Sequence, residues 1–158
     1  MKQQHWVTPK DKLRLLDAFL KLLVGDAQVS FEGDLSRCDF SGLEEYKISP
    51  FGELHRINTE PGSDYAAYAL DGDSIEVIAR WLVNPDCAIE AIDHIQIQKE
   101  GALQVLIGDN FDDECVSVGP LVSVEILERL LSEGIISGYE TDAEAKAEYP
   151  WFSHDAKA

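Results

Sequence analysis

Basic residues are scarce in this chain: 13 Lys and Arg stand against 30 Asp and Glu over 158 residues, a formal net charge of −17. A body so acidic repels phosphate backbones and anionic lipid, which argues against direct binding of nucleic acid or membrane. Cysteine is equally sparse. Cys38, Cys87 and Cys115 are far apart and odd in number, with no Cys-x-x-Cys, so they read as reduced thiols rather than a disulfide framework. His5, His55, His94 and His154 show no His-x-x-x-His or Glu-x-x-His spacing, and no zinc or other metal site is expected. Long apolar runs are missing too: Leu13 to Val24 is broken by Arg14, Asp17 and Lys21, which excludes a membrane span there. Gly-x-Gly-x-x-Gly, phosphate-loop and Gly-x-Ser-x-Gly patterns are absent, so neither a cofactor nor a serine nucleophile is predicted. Residues 1–12 are polar rather than leader-like, and with the reduced thiols this points to a cytoplasmic address.

What is present is uneven charge. Residues 1–30 net +2, and the remaining 128 net −19. An apolar content of 45% beside 27% charged residues is ordinary for a folded domain, so the charge does not imply disorder. Thr8-Pro9-Lys10-Asp11 reads as a helix start, followed by Leu13, Leu16, Leu20 and Leu23 at helical spacing, with Leu15, Phe19 and Leu22 widening the stripe. Gly25 ends it. Gln28 to Glu32 alternates as a strand with Val29 and Phe31 inward. Residues 33–52 are broken by Gly33, Gly42, Pro50 and Gly52 and read as loop, with a capping box at Ser41-Gly-Leu-Glu44 opening one helical turn. Leu54–Ile57 and Tyr65–Leu70 are the next strands. Ser74–Leu82 matches a helix through Ile75, Ile78, Ala79 and Leu82.

Ile92–Lys99 and Ala102–Ile107 form a hairpin. A two-residue loop would set Ile97 opposite Gln104 and mix the faces, so the pattern predicts a three-residue loop, Lys99 to Gly101, pairing Ile97 with Leu103 and Ile95 with Val105. His94, Gln96, Gln98 and Gln104 then share a face predicted to be wet. Cys115–Val118 is a short strand, and Ser123 caps a last helix closed by Gly134. The expected fold is α+β: residues 1–140 form one domain, a mainly antiparallel sheet of about five to six strands packed by N-terminal, middle and C-terminal helices. Residues 141–158 form an acidic, aromatic tail.

The densest acid cluster is Asp109, Asp112, Asp113 and Glu114. A calcium loop would need Gly at its sixth position and Glu at its twelfth; Glu114 and Pro120 stand there, so the match fails. The acid pairs Glu32/Asp34 and Asp71/Asp73 could serve as acid and base in a hydrolase, but 30 acids produce such pairs by composition alone. What fits is a non-enzymatic, acidic protein-binding module, monomer or homodimer, of the immunity or antitoxin type, opposing a basic toxin such as a nuclease. Its contacts would be Asp109, Asp112, Asp113 and Glu114, the face of His94, Gln96, Gln98 and Gln104, and Trp151 as aromatic anchor. The helix–strands–helix–strands–helix order and the low isoelectric point also resemble the dimeric acidic chaperones of type III secretion. That resemblance lies in element order and charge and covers most of the chain; it implies a groove for an unfolded effector segment, with the broad face of the first helix exposed.

Overall fold

The computed structural model describes residues 4–141; Trp151 and the rest of the tail after Thr141 lie outside them. Alternation builds the sheet. In β2 (Ala27–Gly33) and β5 (Ile92–Lys99), Val29, Phe31, Ile95 and Ile97 share one face and are buried, as a period of two requires. With β1 (His5–Pro9), β3 (Lys47–Ile48), β4 (Asp64–Leu70), β6 (Ala102–Ile107), β7 (Val116–Val118) and β8 (Ile136–Thr141), they form one antiparallel sheet in the order β3-β4-β2-β5-β6-β7-β1-β8. α1 (Lys12–Leu23), α2 (Ser74–Val83) and α3 (Val124–Ser132) bury their apolar stripes in the same core as those inward strand residues.

The α+β class holds, and eight strands replace the expected five to six. β1 was hidden by Thr8-Pro9. These residues pair with Gly138 and Ile136 of β8, and α1 starts only after Asp11, whose carboxylate accepts a hydrogen bond from the Arg14 amide at 3.2 Å. Pro9 sits where the β1–β8 register shifts, and a strand tolerates a missing donor at such an irregularity. The capping box is not formed either: the 3-10 turn Ser41–Tyr46 is preceded by Phe40, and the Ser41 hydroxyl donates to Asp39 instead. Of the apolar stripe of α1, Leu15, Leu16, Phe19, Leu20 and Leu23 are buried in the core, and Leu13 and Leu22 pack against it partly buried. Lys99 closes this helix, its ammonium donating to the carbonyls of Leu23, Val24 and Gly25 at the negative end of the dipole.

The β5–β6 hairpin turns on two residues, not three. Glu100 and Gly101 both have positive φ (56° and 77°), the conformation a tight two-residue loop needs. Lys99 opposes Ala102 and Gln98 opposes Leu103, but Ile97 opposes Val105 and Ile95 opposes Ile107. Gln104 is therefore the extra residue of a bulge, which restores the apolar register beyond it.

The second face of the sheet is not wet. Gln28, Ser30 and Glu32 of β2 align with Gln98, Gln96 and His94 of β5. Ser30, Glu32, Gln96, Gln98 and Gln104 are all buried. Residues 53–58, expected to contain a strand at Leu54–Ile57, form none; they lie over this face as a strap that bonds to side chains instead of to a neighbouring strand. The Glu53 amide donates to Gln98 Oε1 (2.5 Å). His55 exchanges two bonds with the Gln96 amide, 3.1 Å from its N–H and 3.0 Å to its carbonyl. Ile57 and Asn58 both donate to the Glu32 carboxylate, at 3.0–3.2 Å. The side chains of Glu32, Gln96 and Gln98 are thus buried with hydrogen bonds made to the strap, which is the condition for burying them at all.

Two substitutions probe this arrangement. Glu32→Ala should strip the strap of its acceptor, cost roughly 2–3 kcal/mol in urea unfolding, and remove exchange protection at the Ile57 and Asn58 amides first. Gly33→Ala should cost about 2 kcal/mol or more, because Gly33 sits at φ +152° and a Cβ there would collide with the Ala91 carbonyl oxygen. A Gly33→Ala variant with an unchanged urea midpoint would mean that the β2–β5 crossing yields easily.

Candidate partner-binding surface

The acidic turn joins β6 to β7, and its shape is held by residues that are not acidic. Asp109, Asn110 and Phe111 are consecutively left-handed (φ 44°, 51° and 63°). Asp and Asn tolerate this region; Phe does not, and each such residue costs about 1–2 kcal/mol. Phe111 offsets that cost by burying its ring in the core, 3% exposed. Asn110 does so with hydrogen bonds on every side. Its amide N–H reaches Asp93 O (2.8 Å), its side-chain NH2 reaches Ile89 O (2.8 Å) and Ile92 O (2.7 Å), and its Oδ1 accepts from Lys12 Nζ (2.5 Å). Lys12 also pairs with Glu90 at 3.2 Å. The turn is therefore bolted at its base to β5 and α1.

Its carboxylates face outward. Asp109, Asp112, Asp113 and Glu114 are exposed, and none of them joins an ion pair among the described residues. Asp112 accepts from the Glu114 amide at 3.0 Å, which tightens the tip. His94 stands half-buried beside the turn, its Nδ1 accepting from the Asp109 amide at 3.3 Å. Of the expected sheet-face contacts, then, His94 adjoins the acidic turn. Gln96 and Gln98 hold the strap, and Gln104 holds the next loop through Leu121 N (3.0 Å); their burial leaves them no free surface. Trp151 lies outside the described residues. Asn110, Phe111 and Lys12, which shape the turn, escape a reading of the sequence for acids because none of them carries negative charge.

The other acid pairs have structural work. Asp71 accepts from the Ser74 and Asp73 amides at the start of α2, and these bonds, the Ser74 one foremost, hold its carboxyl below the usual range. Asp39 is lowered likewise by Ser41. Asp34 accepts from Ser36, and Glu32 holds the strap. Among the described residues no group of three or more His, Cys, Asp or Glu is placed to hold a metal ion, and no helix is long and apolar enough to cross a membrane. No protein-family model, curated protein or solved structure matches the chain, so the surface is read from its own chemistry.

Cys115 reports on the field of the turn. Burial, then the Asp109 carboxylate 3.6 Å from its sulfur, with Asp112 and Glu114 adding, pushes the thiol up to about 12. Negative charge disfavours the thiolate, so Asp109→Asn with Asp112→Asn should bring the thiol down part of the way while burial keeps it above the ordinary value. Alkylation by iodoacetamide at pH 8.5, followed by peptide mass spectrometry, should be slow at Cys115 in the native chain and several-fold faster in the double variant. Equal rates would show that the carboxylates do not act on this site.

Proposed function

We propose that this chain is a non-enzymatic, acidic protein-binding module of the immunity or antitoxin type. It acts in the cytoplasm and neutralises a basic toxin, a nuclease being the best chemical fit, by occluding its cationic surface. The observation that carries the reading is the turn at Gly108–Glu114: exposed carboxylates, without cationic partners among the described residues, on a backbone held in one shape. A preformed anionic surface binds without first ordering itself, and a body of net charge −17 draws a cationic partner in by long-range attraction. In this reading Asp112, Asp113 and Glu114 steer and Asp109 and His94 form the rim. Trp151, by its chemistry, supplies the aromatic anchor.

The test is capture of the partner from the native host on immobilised chain at low ionic strength, with elution by rising salt. A single basic protein should be recovered near 1:1. Its association rate should fall at least about tenfold between low and high ionic strength, while dissociation changes little. Asp112→Lys with Asp113→Lys should slow association about tenfold and leave the free energy of urea unfolding within roughly 1 kcal/mol of native, because both side chains are exposed and only the Asp112–Glu114 amide hydrogen bond is lost. A rate indifferent to salt and to this double variant would sink the proposal.

A further inference from the structure

A second surface lies at the opposite end of the sheet order, where the outer side of the last long strand is paired over only part of its length. β4 spans Asp64–Leu70, but β3 pairs only with Tyr68 and Ala67. The reason is in the sequence: Ser49-Pro50 follows Ile48, and proline has no N–H to continue the ladder. The chain leaves β4 there and crosses to the second face as the strap. On the outer side of Asp64–Ala66, away from β2, no strand is present among the described residues. A cavity of about 520 Å³ lies along this edge. Phe40, Ser41 and Glu44 line it from the 3-10 segment, Arg56 and Ser63 from the strap side, and Lys47 from the end of β3. The Ser63 hydroxyl is buried and has no hydrogen-bond partner.

We propose that this edge is a slot for an extended, lysine- or arginine-bearing segment of a partner protein, which adds to the sheet beside Asp64–Ala66 in line with β3. The backbone supplies the first argument. An uncovered stretch of edge strand carries a row of unpaired N–H and C=O groups that a peptide strand completes, and alternate side chains of that peptide then fall to the two walls. Charge supplies the second. Glu44 and Asp64 line the slot, and Glu45 and Glu60 are exposed in the segments next to it. Arg56, held in place by the carbonyls of Asn58 and Ser63, lies 3.8 Å from Glu32, so its charge is set first against that buried carboxylate. Glu32, Glu44, Glu45, Glu60 and Asp64 together outnumber Arg37, Lys47 and Arg56 in and around the slot, so a cationic segment meets an excess of negative charge. The inference rests on the reading of a basic protein partner and adds how part of that partner is gripped.

The probe is the synthetic peptide acetyl-KVKVTVK-amide, titrated into the isotopically labelled full chain and followed by NMR. A control peptide of the same sequence is N-methylated at alternate residues, so that charge and side chains remain and one row of backbone donors is lost. The unmodified peptide should shift the Asp64–Ala66 amides and slow their exchange, and the methylated one should bind about tenfold more weakly. Glu44→Lys with Asp64→Lys should weaken the unmodified peptide by a similar factor, whereas Asp112→Lys with Asp113→Lys should leave the shifts at Asp64–Ala66 in place. Equal binding of the two peptides overturns the slot, as do shifts confined to Gly108–Glu114. A chain that captures its basic partner while its Asp64–Ala66 amides ignore the peptide also overturns the slot, and leaves the acidic-module reading standing.

Discussion

The buried carboxylate of Glu32 is the constraint around which the second face of the sheet is arranged. Among the described residues no other Asp, Glu, Lys or Arg is so deeply buried (1% exposed). An ionised group removed from water is tolerated only when its hydrogen-bonding capacity is met, and here the Ile57 and Asn58 amides and the nearby Arg56 guanidinium meet it. Meeting it brings residues 53–58 across the sheet. Gln96 and Gln98, which a single-sided sheet would turn to solvent, are then covered by that strap and have to bond to it. The same path takes the chain away from β4 after two residues of pairing, so the open edge and the closed face have one origin.

The acidic turn follows a related logic with the signs reversed. Its carboxylates are held apart from cations by the way the chain uses its few basic residues. Lys12 is occupied by Glu90 and Asn110, Lys21 by Asp17, Arg56 by the strap and Lys99 by the end of α1. With basic residues this scarce, each one tied to an internal task leaves exposed acids without a partner. The surplus becomes a surface field rather than a set of ion pairs, and exposed ion pairs would in any case have added little stability. Rigidity at the base of the turn matters more, since Phe111 and Asn110 hold three left-handed residues in place and so fix where the charges stand.

Elements whose residues carry their own pattern were legible. The Val29/Phe31 and Ile95/Ile97 alternation, the α2 stripe at Ile75 and Ile78, the Ser123 cap and the Gly134 stop all appear as the sequence implies. The departures share a cause. Thr8-Pro9 has helix-start chemistry, yet pairing with β8 holds it in a strand. Leu54–Ile57 forms no strand, because its partners are side chains of β2 and β5 rather than a neighbouring backbone. Apolar matching without a bulge favours a three-residue hairpin loop, and Gln104 absorbs the mismatch that the two-residue loop creates. In the candidate surface the acids themselves were visible as a cluster, while Asn110, Lys12 and Phe111 could be assigned to the turn only through contacts up to 98 residues away in sequence.

The sequence by itself determined the class of fold, the inward faces of the central strands and the sign of the surface, because these depend on local periodicity and on a charge sum that folding does not alter. Tertiary structure alone decided which polar residues are buried, where the sheet keeps an open edge and which acids stand without cations. Those outcomes depend on distant groups competing for the same hydrogen bonds, and a buried donor or acceptor takes whichever partner the topology brings within reach.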